Sequence, residues 1–301
     1  IVNNSPLVSI VIPTYNHAPM LQRALATVIE QTYQNWNAIV VNNHSTDNTL
    51  DVVASFNDPR IQCINFHNNG VIGASRNEGI ARATGEYVAF LDSDDTWFPT
   101  KIEKCVASLE SGSDLVCHAE YWIDESGKSR LVAYGPSEAA THHNLIYKGN
   151  RISTSATMVR ATLLKEVNGF DVSPELISTE DYDLWIRLAA KSNRFAFIDE
   201  PLGEYHRHDN NVSANIEKHL AAELALLAKH FSVNAQLENS LARRRRKALA
   251  YYGAGRSLHR TNKHFLALKK YSRSMIIWPI SLRLYAAVLL SLVGIFTPKS
   301  K

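Results

Sequence analysis

The chain has 301 residues, of which 45% are hydrophobic, and this is enough for one large α/β domain or for a domain with an appendage. The three cysteines have no metal-ligand spacing, which excludes a cysteine zinc site and predicts reduced thiols in a cytosolic protein. The net charge of +3 conceals an acidic body, with −10 over residues 1–214, and a basic tail, with +13 over residues 215–301.

The first third of the chain alternates between apolar strands and amphipathic helices. Strands are predicted at residues 7–13, 36–41, 61–66 and 87–91, and helices at residues 19–31, 47–56 and 74–84. This alternation predicts a parallel sheet with helices on both faces. Such a pattern is typical of nucleotide-binding folds. Neither a dinucleotide-binding fingerprint nor a Gly-rich phosphate-binding loop follows the first strand, so the phosphates of a nucleotide would have to be bound by other groups.

Three carboxylates, Asp92, Asp94 and Asp95, follow the fourth predicted strand. In an open α/β sheet, ligands bind outside the carboxyl ends of the strands. Carboxylates this close repel each other unless a cation lies among them, and their oxygens suit Mg²⁺ or Mn²⁺ beside substrate phosphates. The alternative is a solvated acidic turn that caps the helix beginning near Pro99.

The middle of the chain is less regular. Residues 114–118 and 121–123 suggest strand with a hairpin turn at 124–127, and residues 134–150 are predicted to form a loop over the site. Short helices are predicted at residues 161–167 and 183–190, followed by a polar loop at residues 205–208.

The basic tail is predicted to be helical over residues 215–231 and 241–275. The apolar run at residues 284–296 is shorter than the span of about 20 residues that a transmembrane helix needs. It is therefore either a core helix or a helix that lies in the interface of an anionic membrane, where the neighbouring basic residues would bind.

Five motifs resemble, in order and spacing, the signatures of family 2 glycosyltransferases. They are Ile-Pro-Thr-Tyr-Asn at 12–16, Val-Val-Asn-Asn-His-Ser-Thr-Asp at 40–47, Gly-Ala-Ser-Arg-Asn at 73–77, Leu-Asp-Ser-Asp-Asp at 91–95 and Thr-Glu-Asp-Tyr-Asp-Leu-Trp at 179–185. The resemblance covers about residues 1–210. It implies a GT-A fold, which is a Rossmann-like and mostly parallel α/β sheet flanked by helices, here with a C-terminal helical appendage.

The resemblance also implies a domain division. Residues 1–214 would form the GT-A domain, with a nucleotide-sugar-binding half at 1–115 and an acceptor and catalytic half at 116–214. Beyond the resemblance, the charge and helical pattern of residues 215–301 predict a basic helical region that is a candidate for membrane association.

By resemblance, the donor base lies against Pro13, Thr14, Tyr15 and Asn43. Tyr15 is predicted to stack on the base, and the alternative is a turn residue with a packing role. Asn42 and Asn43 depart from relatives, which usually carry Asp-Asp-Gly or Asp-Asn-Gly here, and an Asp at the second position can accept the N3–H of uracil or thymine. Asn43 accepts through its amide oxygen but carries no charge. His44 replaces a Gly that often has positive φ.

By the same resemblance, Asp94 is a direct metal ligand, and His208 is a third contact to the metal or diphosphate. Asp92 and Ser93 would lie nearer the ribose and the donor sugar. Arg76 would support the base or phosphate region, and the alternative for Arg76 is a surface ion pair with Glu78 or Asp95.

Asp181, preceded by Glu180, is the candidate general base. An inverting transfer needs a carboxylate on the face opposite the leaving group, where it takes the proton of the acceptor hydroxyl. The alternative is an ordinary N-cap of the helix predicted at residues 183–190.

The sequence is therefore predicted to encode an inverting glycosyltransferase that depends on Mn²⁺ or Mg²⁺. It would move one sugar from a nucleotide-diphosphate sugar, and UDP is the favoured nucleotide. The acceptor would be a hydroxyl of a glycan or lipid-linked molecule in cell-surface polysaccharide or glycoconjugate biosynthesis. The Gln-x-x-Arg-Trp motif of polymerising relatives is missing, which favours single transfers.

The alternative function is a non-catalytic nucleotide-sugar-binding or scaffold protein, which the substitutions at residues 42–44 would favour. No nucleic acid partner is predicted. Residues 1–6 do not resemble a signal peptide, so a cytoplasmic protein, peripheral at the inner face of the cell membrane, is expected.

Overall fold

The computed structural model describes residues 5–208, 215–232 and 240–296. The chain divides into two compact units, which are residues 1–145, 150–174 and 180–209 in the first, and 146–149, 175–179 and 210–301 in the second. The predicted domain boundary between residues 214 and 215 falls next to a stretch outside the described residues and stays a prediction.

The described part of the first unit has nine strands. They are β1 (Val8–Thr14), β2 (Trp36–Asn42), β3 (Ile61–Asn65), β4 (Tyr87–Phe90), β5 (Thr96–Trp97), β6 (Leu115–Ile123), β7 (Ser129–Val132), β8 (Thr157–Arg160) and β9 (Phe195–His206). The helices of the described chain, up to the start of the basic tail, are α1 (Ala18–Ile29), α2 (Thr49–Ser55), α3 (Ile72–Arg82), α4 (Lys101–Glu110), α5 (His142–Lys148), α6 (Ala161–Glu166) and α7 (Glu180–Ala189).

The strands form one mixed sheet in the order β3-β2-β1-β4-β8-β6-β9-β5, with β7 paired to β6. β1 to β4 pair in parallel, as the alternation of strands and helices predicts. β8 then pairs antiparallel with both β4 and β6. The carboxyl ends of β1, β2 and β4 therefore meet at one edge, and the loops that follow these strands lie side by side.

The core of this unit lies on both faces of the parallel strands. Every residue of β1 is buried, as expected for a strand covered on both sides. α1 packs on one face through Leu21, Leu25 and Val28. α3 approaches β1 closely at Gly79, where a Cβ atom would overlap the side chain of Val11. This close approach fixes the depth of α3, which carries Arg76.

Three predicted segments differ from the structure. Residues 134–150 are not simply a loop, because they contain α5 and a short 3₁₀ turn at Ser137–Ala139. Tyr205 and His206 belong to β9 rather than to a loop, since the pairing with β6 continues to its last residue. α7 begins at Glu180 rather than at residue 183, so the Glu-Asp pair lies inside its first turn.

The second unit is helical where the structure describes it. Its helices are α8 (Ile216–Ser232), α9 (Leu241–Arg260), α10 (His264–Ile277) and α11 (Leu282–Phe296). α9, α10 and α11 share an apolar cluster of Leu258, Ala267, Tyr271, Leu284 and Ala287.

The basic run at the start of α9 is not uniformly solvated. Arg243 and Arg246, three residues apart, are buried, and Arg246 donates to Glu223 at 2.5 Å. Arg243 lies with its guanidinium carbon 4.9 Å from the centre of the Phe231 ring. Two of the five basic side chains of this run therefore make buried contacts within the second unit and are not available to bind another surface.

α11 buries one edge only. Leu284, Ala287 and Ser291 are buried, whereas Leu282, Tyr285, Leu289, Leu290, Leu292 and Val293 are exposed. The prediction of a core helix at residues 284–296 therefore agrees with the buried side of α11 but not with its exposed apolar side. Within the described residues, no helix is both long and apolar enough to cross a membrane.

Candidate active site

The loops after β1 and β2 lie together at the carboxyl edge of the sheet. The N–H of Asn43 donates to the carbonyl of Thr14 at 2.9 Å, which joins the two loops through the backbone. Pro13 and Thr14 are buried, whereas the Tyr15 side chain is 52% exposed. An exposed aromatic ring above a fixed loop has a free face on which a nucleobase can stack.

His44 stands in the Asn42-Asn43-His44 turn at the position where relatives usually have glycine. His44 adopts a positive φ of 53°, the conformation that a glycine would take most easily. The buried Asn42 accepts from the hydroxyl of Ser45 at 2.6 Å, which holds the turn. The amide oxygen of Asn43 accepts from the N–H of Asn68 at 3.0 Å, so a base N3–H would have to use its second lone pair.

Arg76 is buried between two carboxylates. Its guanidinium donates to Asp92 at 2.7 Å and to Glu180 at 3.0 Å. Although burial opposes the charged form, these carboxylates raise the pKa of Arg76. The alternative of a surface ion pair with Glu78 or Asp95 is therefore wrong, because α3 faces the sheet at this position. Arg76 connects the end of β4 to the first turn of α7.

Asp94 and His208 meet, although 114 residues separate them in the chain. His208 Nε2 lies 2.9 Å from Asp94 Oδ2, and both side chains are largely buried. Ser93 Oγ lies 3.0 Å from Nδ1 of His17 on the other side of the same turn. Burial, and then the neighbouring Asp92, raise the pKa of Asp94.

These residues fit a divalent cation only in part. Among residues 5–208, 215–232 and 240–296, no group of three or more His, Cys, Asp or Glu side chains could hold a metal ion. Asp94 and His208 supply one oxygen and one nitrogen side by side. The Asp94 oxygen suits Mn²⁺ or Mg²⁺, which take one or two protein carboxylates and complete their shell with water and substrate phosphates, whereas the His208 nitrogen is not the ligand type that these ions prefer.

Asp95 is buried and hydrogen-bonded to the protein itself. It is 1% exposed, accepts from Ser155 Oγ at 2.5 Å and accepts from the N–H of His206 at 3.0 Å. Burial, with Asp94 and Asp92 nearby, raises its pKa well above the ordinary value. The Asp95 carboxyl thus ties the turn after β4 to the end of β9, and the reading of residues 92–95 as a merely solvated acidic turn does not fit.

Asp181 lies in the first turn of α7. Its carboxylate accepts from Thr154 Oγ1 at 3.0 Å and from the N–H of Tyr182 at 2.7 Å. The second bond goes to the next residue in the chain, so Asp181 is not the N-cap that would accept from residues two or three positions on. Burial raises its pKa, while the nearby Arg76 acts in the opposite direction.

One short segment, Ser153–Ser155, links the groups of the site, and its role was missed from the sequence. Ser155 Oγ accepts from the N–H of Asp92 at 3.1 Å in addition to its bond with Asp95. Thr154 holds Asp181, and Ser153 Oγ donates to Glu120 at 3.0 Å. In the sequence, only the run of three small hydroxyl residues before a short apolar strand could have indicated this role. Such runs are common in ordinary loops.

Glu120, on β6, is a second residue that the sequence did not reveal. It is 1% exposed, and its carboxylate accepts from Trp122 Nε1 at 3.2 Å, from Tyr134 Oη at 2.5 Å and from Ser153. Burial raises the pKa of Glu120 to about 7, although these three donors favour the charged form.

The chain matches a known family over more than half its length. Residues 9–167 match the family described as Glycosyl transferase family 2. The curated UDP-Glc:alpha-D-GlcNAc-diphosphoundecaprenol beta-1,3-glucosyltransferase WfaP of Escherichia coli is 32% identical over 222 residues, which are 73% of this chain and 85% of that protein. The prediction of the family from the five motifs is confirmed.

Solved structures with low identity share the fold. TarS from S. aureus, in complex with UDP-GlcNAc, aligns with a TM-score of 0.60 and 20% identity over 95% of this chain and 92% of that chain. The mannosyltransferase PcManGT from Pyrobaculum calidifontis, in complex with GDP-Man and Mn²⁺, aligns with a TM-score of 0.58 and 16% identity over 99% and 89%. The predicted α/β fold with C-terminal helices is confirmed.

We expect the Glu120→Gln substitution to change how stability depends on pH. The folded carboxyl keeps its proton up to its pKa of about 7, whereas the unfolded carboxyl loses it near 4.5. Stability from this group is therefore complete below pH 4.5 and falls as the pH rises toward 7. Between pH 5 and pH 8 the wild type should lose about 2–3 kcal/mol of unfolding free energy that the variant keeps.

The measurement is urea unfolding of both proteins at the two pH values. The exposed Glu166, changed to Gln, serves as control and should follow the wild type. Equal losses in the wild type and the Glu120→Gln variant would show that Glu120 has an ordinary pKa.

Proposed function

The chain belongs to glycosyl transferase family 2, and we propose that it moves one sugar from a UDP-sugar to a hydroxyl of a lipid-linked glycan with inversion at the anomeric carbon. Transferase activity itself follows from the named relatives. The main support for the proposed mechanism is the pair of ion pairs that Arg76 forms with Asp92, after β4, and with Glu180, at the start of α7.

The donor would lie across the carboxyl ends of β1, β2 and β4. The exposed ring of Tyr15 and the buried loop residues Pro13 and Thr14 provide a surface for the base, and Asn43 lies in the adjoining turn. Asp92 and Ser93 follow β4 and would contact the ribose and the donor sugar. The names of WfaP, with UDP-Glc, and of TarS, with UDP-GlcNAc, support uridine as the base.

Asp94 and His208 would hold Mn²⁺ or Mg²⁺. When bound, such an ion neutralises the charge that develops on the leaving diphosphate. The Mn²⁺ in the complex of PcManGT supports this assignment. The raised pKa of Asp94, caused by burial and by Asp92, supports it as well, because a cation would offset both effects.

Asp181 would act as the general base. As the acceptor oxygen forms its bond to the anomeric carbon, Asp181 takes the hydroxyl proton and the nucleoside diphosphate leaves with the electron pair of the broken bond. Thr154 orients the carboxylate, and Arg76 favours its ionised form against the effect of burial, which raises the pKa of Asp181. Glu180 is held by Arg76 and would position that guanidinium rather than accept the proton.

The acceptor would be lipid-linked, in the biosynthesis of a cell-surface polysaccharide or glycoconjugate. The name of WfaP specifies a sugar on diphosphoundecaprenol, and this supports the same class of acceptor here. The carboxylates of both motifs lie together around Arg76, and this supports catalysis over a scaffold function.

The second unit would bind the surface of an anionic membrane, at the inner face of the cell membrane. α11 exposes a continuous apolar side that includes Leu289, Leu290 and Val293. Exposed cations such as Arg256 and Lys263 lie in the same unit. Basic residues near such a surface contribute about 1 kcal/mol each, and the buried Arg243 and Arg246 are left out of that sum.

The Asp94→Ala variant should fold normally but lose transfer, together with the Mn²⁺-dependent part of UDP binding, because the diphosphate loses its counter-charge. Calorimetric titration of UDP with and without Mn²⁺, beside a sugar-transfer assay, makes the test. The exposed Asp51 of α2, changed to Ala, should alter neither quantity. Normal turnover of the Asp94 variant, or of the wild type in EDTA, would contradict the proposal.

The Asp181→Asn variant should keep donor affinity within a few-fold while transfer slows by a factor on the order of 10²–10⁴, the usual contribution of a general base. Glu180→Gln should instead weaken donor binding, since Arg76 then loses one of its carboxylates. Single-turnover rates and UDP affinity distinguish the two. A loss of donor binding in Asp181→Asn would indicate a structural role, and unchanged turnover would remove Asp181 from the mechanism.

The triple variant with Leu289, Leu290 and Val293 changed to Gln should sediment with phosphatidylglycerol vesicles at least several-fold less than the wild type, with an unchanged circular dichroism spectrum. A chain ending near Ile280 is a poorer test, because it removes the buried Leu284 and Ala287. Leu50→Gln, on the exposed side of α2, is the control. Equal sedimentation of all variants, or none by the wild type, would disprove membrane binding.

A further inference from the structure

An aromatic and basic cluster lies beside the proposed acceptor site and has no role in the chemistry described above. Trp122 on β6 is the cross-strand partner of Arg130 on β7 and of Tyr205 on β9. The rings of Trp122 and Tyr205 have centroids 5.2 Å apart. Cross-strand partners share one face of a sheet, so this face presents two aromatic rings at the end of β6.

Two arginines lie over the same indole. The guanidinium carbon of Arg130 is 5.2 Å from the Trp122 ring centre, and that of Arg207 is 5.6 Å away. Both arginine side chains are exposed, and neither forms an ion pair with the residues that the structure describes. Stacking on this half-buried indole is a weak interaction for an exposed cation, and it leaves the guanidinium donors free.

The indole cannot rotate away from this position. Trp122 Nε1 donates to Glu120 at 3.2 Å and to Tyr134 Oη at 3.0 Å. The backbone N–H of Arg207 donates to the carbonyl of Ile123 at 2.8 Å, which fixes the start of that side chain. β-sheet pairing therefore fixes the start of both arginine side chains beside the same indole, Arg130 from β7 on one edge of β6 and Arg207 from the end of β9 on the other.

A line of contacts leads from the proposed base to this cluster. Asp181 accepts from Thr154, Ser153 follows in the chain and donates to Glu120, and Glu120 accepts from Trp122. Three hydrogen bonds and one peptide link therefore connect the proposed base to the indole of the cluster.

We infer that Trp122, Arg130 and Arg207 form an anion subsite that binds the diphosphate of the acceptor. Guanidinium groups match phosphate oxygens in geometry and charge, and two of them balance a diphosphate better than one. This inference rests on the proposed function, because it needs a lipid-linked acceptor of the class that the name of WfaP specifies. The subsite would select acceptors by their anionic linker and not by the sugar alone.

The test measures binding of a short-chain alkyl diphosphate that forms no vesicles. It is done in EDTA with UDP present, so that the donor site contributes little. The double variant R130Q/R207Q should bind the probe about 10- to 100-fold more weakly than the wild type, given the strength of hydrogen bonds to charged groups. R130K/R207K should retain part of the affinity, since it keeps the charge.

The matched control removes two other exposed charges of the same unit. In R82Q/K165Q both changed residues lie on α3 and α6, away from Trp122, and this variant should bind the probe as the wild type does. Equal affinity in R130Q/R207Q and the wild type, or no binding by either, would overturn the inference. Unfolding temperatures of all variants separate a loss of the subsite from a loss of the fold.

A further arm separates the diphosphate from a phospholipid headgroup. If R130Q/R207Q lowers sedimentation with phosphatidylglycerol vesicles while probe binding is unchanged, the arginines contact the membrane and the inference fails. Failure of the proposed function is recognised independently, because it would abolish UDP-sugar binding and donor hydrolysis by the wild type, neither of which involves Arg130 or Arg207.

Discussion

The site depends on one buried cation. Arg76 is 4% exposed and lies between Asp92 and Glu180, which are far apart in the chain. Taking a guanidinium out of water is expensive, and only close, hydrogen-bonded carboxylates make it tolerable. Removing either carboxylate would leave a buried charge without a full set of partners. The end of β4 and the start of α7 are thus held in one arrangement, which brings the proposed donor residues to the proposed base.

The first half of the fold could be predicted from the sequence because local patterns determine it. Apolar runs gave β1 to β4, and turn residues gave the loops whose side chains meet at the sheet edge. For Arg76, the sequence predicted the position but not both of its ion-pair partners. Its position on α3 was predicted, but its partner Glu180 lies 104 residues further on, and no local pattern shows such a pairing.

The second half could not be predicted in the same way. β8 inserts between β4 and β6, and β9 inserts between β6 and β5, so neighbours in the sheet are not neighbours in the chain. Ser153–Ser155 and Glu120 acquire their roles only through this order. The basic run of α9 shows a related limit, because Arg243 and Arg246 follow helical spacing and turn inward, which a count of charges does not reveal.

The segment Ser153–Ser155 has a thermodynamic consequence. Ser153 holds the Glu120 carboxylate, Thr154 holds the Asp181 carboxylate, and Ser155 holds the Asp95 carboxylate and the backbone N–H of Asp92. A ligand that shifts any one of these carboxylates shifts the same short stretch of backbone. Donor and acceptor affinities should therefore be linked, and by reciprocity each substrate changes the affinity for the other by the same factor. An ordered sequence of substrate binding can thus arise without a moving lid, from the stiffness of three adjacent peptide units.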